Sequence, residues 1–306
     1  MSAWIDGLNP EQAKAVLHSQ GPLLILAGAG SGKTTVLVAR TGELISAKHA
    51  EAREICVLTF TNKSARELKH RVAHKLGDRA KGLWAGTFHS FGLQLLRKHH
   101  RAAGLPQSFG VIDQGDSQAI LKELLRDTKV VGKEKFDIDK ILNIVNARRT
   151  SKEKVEAFDE YNEIAEMLLP KYVKKLDLLG VVDFEGLLLK PLELFRTNPE
   201  VLEGIQQQLR YMMVDEFQDT NDTQMKLIDQ IAKSHRNLAV VGDDDQSIYG
   251  WRGAQVSNIL NFPKTYAPCE VIRLERNYRS SSAILSVANE LIKKNRPPRQ
   301  SVEVGV

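Results

Sequence analysis

Residues 23–35 read Leu-Leu-Ile-Leu-Ala-Gly-Ala-Gly-Ser-Gly-Lys-Thr-Thr, an apolar run that breaks into a glycine-rich loop. The run is short enough for a buried strand, and the glycines allow a tight turn whose N–H groups face an anion. In this pattern Lys33 pairs with the β and γ phosphates of a nucleotide, Thr34 holds Mg²⁺, and a helix begins behind them. The residues predicted to contact the nucleotide here are Gly28, Ala29, Gly30, Ser31, Gly32, Lys33, Thr34 and Thr35.

One position departs from the strict pattern, because Ala27 occupies the place of its first glycine. Alanine fits there only if the backbone does not need a positive φ. The alternative interpretation is an ordinary glycine-rich turn between a strand and a helix. The order of strand, glycine loop, Lys-Thr and helix favours the phosphate-binding interpretation.

A second apolar run, Tyr-Met-Met-Val at residues 211–214, leads into the adjacent acids Asp215 and Glu216. Open α/β sheets bind ligands at the carboxyl ends of their strands, so both acids are candidates for the same site. Asp215 suits a Mg²⁺ shell. Neighbouring strand residues point to opposite sides, which would let Glu216 orient or deprotonate an attacking water. The alternative for an Asp-Glu pair is a solvated turn.

Five further segments narrow the class of protein. Gln12, ahead of the first apolar run, carries an amide donor and acceptor that could read an adenine edge. Gln-Ser-Ile-Tyr-Gly-Trp-Arg-Gly at residues 246–253 is far more specific than any phosphate loop. The other three segments are Leu-Thr-Phe-Thr-Asn-Lys at 58–63, Gly-Thr-Phe-His-Ser-Phe at 86–91 and Leu-Glu-Arg-Asn-Tyr-Arg-Ser at 274–280.

In this order the segments resemble the motor core of superfamily 1A DNA helicases of the UvrD/Rep/PcrA type. The resemblance implies a 3′-to-5′ helicase that uses ATP and Mg²⁺ on single-stranded DNA and on junctions with duplex DNA, alongside repair or replication proteins. It implies that Gln12 recognises adenine, that Tyr278 stacks near it, and that Gln246 and Arg279 sense the γ-phosphate. Thr35 departs from the family, in which arginine is common at that position.

Aromatic residues follow several predicted strands, on the edge where the nucleotide is expected. Such rings could stack on unpaired bases at roughly 1–3 kcal/mol per base, whereas the alternative is that each ring fills the core. The predicted DNA-binding residues are Phe60, Asn62, Lys63, Thr87, His89, Tyr249, Trp251 and Arg252.

Charge supports a nucleic-acid partner, because residues 1–100 hold 14 Lys and Arg against 7 Asp and Glu. Much of this excess follows Asn62, a predicted helix cap, and Lys63 is the best candidate for a phosphate contact. Part of the run is a solvated helix face. The alternative for His89 is a local turn cap.

Composition bounds the rest. The 306 residues, 42% of them hydrophobic, are enough for more than one domain. Cys56 and Cys269 lie in strand-like runs, which indicates thiols in a reducing compartment. Since no apolar stretch reaches about 18 residues, we expect a cytoplasmic protein without membrane contact, and a monomer.

The predicted fold class is α/β, a RecA-like P-loop parallel sheet flanked by helices, with an inserted all-helical subdomain. Strand signals stop near residue 101 and resume near residue 211, so we predict a sheet domain in two parts, 1–100 and 198–274, around a helical insertion at 101–197. Residues 275–306 resemble the start of a second RecA-like domain. We therefore expect the amino-terminal part of a helicase motor, or alternatively a nucleotide- and DNA-binding module without motor activity.

Overall fold

The computed structural model describes residues 2–128, 130, 135–150 and 160–295. The strands are β1 Leu23–Ala27, β2 Ile55–Leu58, β3 Trp84–Gly86, β4 Gly110–Val111, β5 Val181–Val182, β6 Tyr211–Val214, β7 Leu238–Gly242 and β8 Glu270–Leu274. Six of them form one parallel sheet in the order β3-β2-β6-β7-β1-β8. This order places β1, β6 and β7 side by side, so the loops that follow them share one edge.

Helices cover both faces of the sheet. They are α1 Pro10–Leu17, α2 Lys33–Ser46, α3 Asn62–Leu76, α4 Phe88–Lys98, α5 Gln114–Arg126, α6 Ile138–Thr150, α7 Glu160–Leu179, α8 Gly186–Thr197, α9 Pro199–Gln208, α10 Asp222–Ala232, α11 Ser257–Thr265 and α12 Ser282–Asn295. Because helices cover both faces of the sheet, its inner strands are buried on both sides and consist largely of apolar residues.

Alternation along the strands divides the interior into two cores. Leu23 and Ile25 of β1 pack into the core with α2 and α3, whereas Leu24 packs into the core with α4, α8 and α10. Successive strand residues point to opposite faces, so one apolar run serves both layers. The α/β fold class predicted from the sequence is confirmed.

Residues between the two halves of the sheet domain form a separate core from α5, α6 and α7. A short parallel pair, β4 with β5, also lies there, which helical spacing alone does not predict. Leu188, Leu194 and Phe195 of α8 pack into the sheet domain's core. The boundary at residue 197 stays a prediction, and residues 296–306 of the last predicted segment lie outside the described part of the chain.

A buried ion pair ties α6 to the segment that precedes α8. Arg149 Nη2 donates to Asp183 Oδ1 at 3.0 Å, and the hydroxyl of Tyr172 donates to Asp183 Oδ2 at 2.9 Å. Burial alone would raise the pKa of Asp183, but Arg149 outweighs it and holds that pKa below its ordinary value. A buried pair of this kind fixes relative position more than it adds stability.

Among the described residues, no helix combines the length and apolar character needed to cross a bilayer. Cys56 is buried and Cys269 half-buried, and both are free thiols. Burial raises the pKa of the Cys56 thiol, and it raises that of Cys269 to about 11.

Candidate functional site

The phosphate loop connects β1 to α2 and depends on two glycines. Gly30 and Gly32 have φ values of 73° and 91°, the left-handed region that favours glycine. A Cβ on Gly30 would lie 2.6 Å from the Cβ of Arg279, and one on Gly32 would lie 2.7 Å from Gln12 Nε2. Ala27 is not among the described residues of positive φ, so the condition for alanine at that position is met.

Gln12 lies against this loop. It is 4% exposed, and its Nε2 donates to the carbonyl of Ser31 at 2.9 Å. Its Oε1 accepts the N–H of Asn9 at 3.1 Å, and Asn9 Oδ1 accepts the N–H of Gln12 at 2.8 Å. This reciprocal capping box at the start of α1 fixes the amide beside the loop.

Lys33, at the first position of α2, pairs with Glu216, whose Oε2 lies 3.1 Å from Lys33 Nζ. Glu216 follows β6 and has φ 51° and ψ 47°, a left-handed conformation that is uncommon outside glycine. The expectation that strand alternation aims Glu216 is wrong, because β6 ends at Val214 and the left-handed turn sets its direction. Backbone strain of this kind concentrates at functional sites.

Asp215 is 9% exposed and accepts the N–H of Glu216 at 3.1 Å through Oδ1. Burial, with the charge of Glu216 adding to it, raises the pKa of Asp215 to about 6. The same two causes raise the pKa of Asp219 to about 6. Three carboxylates therefore crowd beside one lysine.

Segment 277–280 closes over the loop from β8. Asn277 Nδ2 donates to the carbonyl of Ala29, and Tyr278 N–H donates to the carbonyl of Gly30 at 2.9 Å. Asn277 Oδ1 accepts the N–H groups of Arg279 and Ser280, each at 2.8 Å. Sequence reasoning assigned Asn277 no role, although asparagine commonly organises turns by such bonds.

Gln246 reaches the loop through an acid that sequence reasoning also missed. Its Nε2 donates to Asp243 Oδ2 at 2.5 Å, and that oxygen lies 3.8 Å from the position that a Cβ on Gly28 would take.

Thr34 is half-buried in the first turn of α2. The side chain of Thr35 lies 3.5 Å from Arg71 Nη2 of α3.

The predicted DNA-binding aromatics form a row, defined by Phe60, Tyr249 and Trp251. The rings of Phe60 and Tyr249 stack with centroids 5.0 Å apart, and those of Tyr249 and Trp251 lie 6.4 Å apart. Trp251 is 75% exposed and Phe60 is 39% exposed, so neither fills the core. Phe88 does fill it, being 6% exposed. The side chain of Arg252 lies outside the described part of the chain.

The polar candidates lie at the starts of α3 and α4. Ser90 Oγ donates to Asn62 Oδ1 at 3.3 Å and Thr87 Oγ1 accepts the N–H of Ser90 at 3.2 Å, while Lys63 is exposed. Asn62 is not the helix cap, since Thr61 Oγ1 accepts the N–H of Ser64 and occupies the capping position.

His89 takes a different environment from the other polar candidates. Its ring stacks on Phe184 with centroids 3.7 Å apart. Burial lowers the pKa of His89 to about 4, so the ring is neutral at pH 7. His89 therefore brings no positive charge to a phosphate.

A parallel sheet with a glycine loop, Lys-Thr at a helix start and a carboxylate just after β6, two positions from β1 in the sheet, defines a P-loop nucleotide-binding protein. Residues 8–267 match the UvrD/REP helicase N-terminal domain. The chain belongs to the UvrD/REP helicase family.

Relatives of this chain carry the name ATP-dependent DNA helicase PcrA. The protein of that name from Bacillus subtilis (strain 168) is 43% identical over 296 residues, which cover 95% of this chain and 40% of the relative. The one from Staphylococcus aureus (strain NCTC 8325 / PS 47) is 42% identical over 300 residues, 96% of this chain and 41% of the relative. The chain thus spans about two-fifths of the length of the relatives it matches.

Proposed function

We propose that this chain binds and hydrolyses Mg-ATP at the phosphate loop and binds single-stranded DNA at the aromatic row, as part of a 3′-to-5′ DNA helicase motor. The observation that carries the proposal is the ion pair of Lys33 with Glu216, which joins a phosphate-binding cation to an acid. ATP brings phosphate oxygens that compete with Glu216 for Lys33. Binding therefore frees the carboxylate for the reaction.

In the proposed reaction, Glu216 accepts a proton from a water that attacks the γ-phosphorus. The bond from that phosphorus to the β–γ bridging oxygen breaks, which yields ADP and inorganic phosphate. Lys33, Gln246 and Arg279 stabilise charge on the phosphate oxygens. Gln12 and Tyr278 hold the adenine.

The residues present suit Mg²⁺. Asp215 and Thr34 offer a carboxylate and a hydroxyl oxygen, the hard ligands that Mg²⁺ prefers. Asp215 is also largely desolvated, with a pKa raised to about 6, so a neighbouring positive charge would relieve the cost of its ionisation. When bound, Mg²⁺ supplies positive charge beside the phosphates.

Phe60, Tyr249 and Trp251 accept bases by stacking, which needs no particular sequence. Asn62, Lys63 and Thr87 lie at helix starts beside them and would contact the DNA backbone. We propose the 3′-to-5′ direction, the action at junctions, and a place beside repair or replication proteins from family membership. The two free thiols support a cytoplasmic location.

The test is ATP hydrolysis with and without single-stranded DNA, in the wild-type chain and in Lys33→Ala. We expect DNA to stimulate hydrolysis and Lys33→Ala to lower it about 10²- to 10³-fold, as loss of a charge-stabilising group does. Lys226→Ala is the matched control, because Lys226 is an exposed lysine on α10. Equal hydrolysis in Lys33→Ala and wild type would contradict the proposal.

A chain that binds both ATP and DNA without hydrolysing ATP would instead support the non-motor alternative. Strand displacement on duplexes with 3′ or 5′ single-stranded tails tests the direction separately. Displacement from a 5′ tail alone would contradict the proposed polarity.

A further inference from the structure

Gln218 lies buried between two loops of the site, with 1% of its surface exposed. Its Oε1 accepts the N–H of Asp243 at 3.0 Å. Its Nε2 donates to Glu216 Oε2 at 2.9 Å and to Asp219 Oδ2 at 3.3 Å. A backbone N–H can only donate, and the carboxylates can only accept when ionised, so the partners fix which way the amide faces.

The amide also packs tightly against the end of β7. A Cβ on Gly242 would lie 2.5 Å from Gln218 Oε1, so no side chain fits at position 242 while Gln218 keeps this place. The next residue, Asp243, accepts Gln246 Nε2 at 2.5 Å. The loop that continues from there carries Tyr249 and Trp251. Gln218 is thus in contact with the segment that links the nucleotide to the aromatic row.

Lys33 and Gln218 share one acceptor. Lys33 Nζ lies 3.1 Å from Glu216 Oε2, the same oxygen that accepts from Gln218. If phosphate oxygens draw Lys33 away, the described donor left on that oxygen is Gln218. The orientation of the Glu216 carboxylate would then depend on the position of the loop that follows β7 (residues 243–251, the β7 loop).

We propose that Gln218 is a positioning residue that holds Glu216 for water activation and transmits movement between the β7 loop and that carboxylate. The inference rests on the proposed function, and it assigns the site an internal connection between DNA and ATP. DNA that displaces Tyr249 or Trp251 moves the β7 loop. That loop moves the Gln218 amide, and the amide reorients the Glu216 carboxylate. Coupling of this kind must be reciprocal for binding affinities.

Asp219 gives a second reason to expect that loss of the Gln218 amide disturbs the site. Its Oδ1 is buried without a hydrogen-bond partner in the described part of the chain, and its Oδ2 accepts from Gln218. The charge of Glu216 raises the pKa of Asp219 in addition to burial. Without the Gln218 amide, and with Lys33 drawn to phosphate, the carboxylates of Glu216 and Asp219 would lose the donor that they share.

The first experiment replaces the amide by an apolar group of similar length, Gln218→Met. Three quantities are measured: kcat for ATP hydrolysis, the Kd of a non-hydrolysable ATP analogue, and the factor by which an oligothymidine changes that Kd. We expect kcat to fall about 10²-fold, since small misplacement of a catalytic group has that effect, with Kd changed less than about threefold. The coupling factor, about fivefold or more in coupled systems, should fall to about one.

Gln230→Met is the matched control, because Gln230 is an exposed glutamine on α10. It should leave all three quantities unchanged. The midpoint of thermal unfolding is recorded for both variants, so that each measurement is made well below it. A merely structural role of Gln218 would lower stability and weaken nucleotide binding without a selective loss of kcat and coupling.

Gln218→Glu is the second variant and keeps the shape of the side chain. Its carboxylate faces Glu216 and Asp219, and like charges raise the pKa of such a group. Protonation at lower pH restores one O–H donor toward Glu216. The kcat of the variant, expressed as a fraction of wild type at the same pH, should therefore rise as pH falls from 8 to about 6.

The outcomes separate this role from the proposed function. Failure of the wild-type chain to bind the analogue would contradict the proposed function and this role together. Normal binding and hydrolysis in wild type, with kcat and coupling retained in Gln218→Met, would overturn this role alone. A fraction of wild-type kcat that stays flat with pH in Gln218→Glu would also overturn it.

Discussion

The nucleotide edge and the aromatic row lie on neighbouring loops but are held in different ways. At the nucleotide edge, Gln12, Lys33 and Asn277 each make directed polar bonds to another element. In the aromatic row the rings contact one another, and Trp251 is 75% exposed. Phosphate chemistry needs donors fixed in place, whereas stacking on any base tolerates adjustment.

This difference predicts how the two regions respond to substitution. Changes at the nucleotide edge should remove a reaction step while leaving the fold intact, because each polar group has one geometric task. Changes in the row should weaken binding gradually, since neighbouring rings can share a base.

Glu216→Gln should lower kcat for ATP hydrolysis about 10²- to 10⁴-fold, because the amide cannot accept the proton from water. The affinity for ATP should be kept or rise slightly, since Lys33 loses a competing carboxylate. Single-turnover hydrolysis and analogue titration measure the two quantities separately. A parallel loss of both would assign Glu216 to binding, and the contrast with the row would weaken.

Asp215→Asn should stabilise the ligand-free chain while it removes Mg²⁺-dependent hydrolysis. Burial raises the pKa of Asp215 from its ordinary 3.8 to about 6, so the ionised carboxylate destabilises the fold at neutral pH. The shift corresponds to at most about 3 kcal/mol, because one pKa unit is about 1.4 kcal/mol. Chemical denaturation at pH 7.5 should show the variant to be more stable.

The pH dependence provides the control for this prediction. The pKa of Asp215 is higher in the folded state than in the unfolded state. The loss of stability that its charge causes in wild type is therefore fully present above about pH 6, declines as pH falls from about 6 to 3.8, and is absent below 3.8. The stability difference between Asp215→Asn and wild type should shrink over that interval. A difference that does not change with pH would mean that packing, and not charge, separates them.

Local patterns predicted much of this site, and contacts between distant segments account for what they missed. The phosphate loop at residues 28–34 could be predicted from consecutive residue types, and Ala27 is not among the described residues of positive φ, as alanine there requires. The left-handed turn at Glu216 has no such signal, because an acid rarely adopts it. Capping by Thr61 in place of Asn62 is a one-residue error typical of helix boundaries.

Gln218 and Asn277 illustrate the larger gap. Asn277 lies inside a segment that the sequence singles out, and Gln218 lies two residues after Glu216. Besides their local partners, Gln218 contacts Asp243, 25 residues away, and Asn277 contacts Ala29, 248 residues away. The sheet order, which places β6 beside β7 and β1 beside β8, brings these groups within reach. The roles of the predicted site residues stay predictions until substitution tests them.

Trp251→Ala should weaken binding of single-stranded DNA by about 1–3 kcal/mol if the indole stacks on a base. Trp251→Phe keeps a ring and should lose less. Fluorescence anisotropy with labelled oligothymidine measures the affinity. The same variants should bind an ATP analogue as wild type does in the absence of DNA. Affinity that is unchanged in Trp251→Ala would remove the row from the DNA site.

Lys63→Ala should have the smallest effect, on the salt dependence of DNA binding and not on its sequence preference. Lys63 is exposed at the start of α3, and each phosphate neutralised on a single strand contributes about 0.7 to the slope of log affinity against log salt. The slope should fall by about that amount, with no change in hydrolysis without DNA. Lys233→Ala, an exposed lysine just beyond α10, should keep the wild-type slope. If both variants lower the slope equally, the charge acts through the general field of the protein, and only the aromatic row would define where the strand lies.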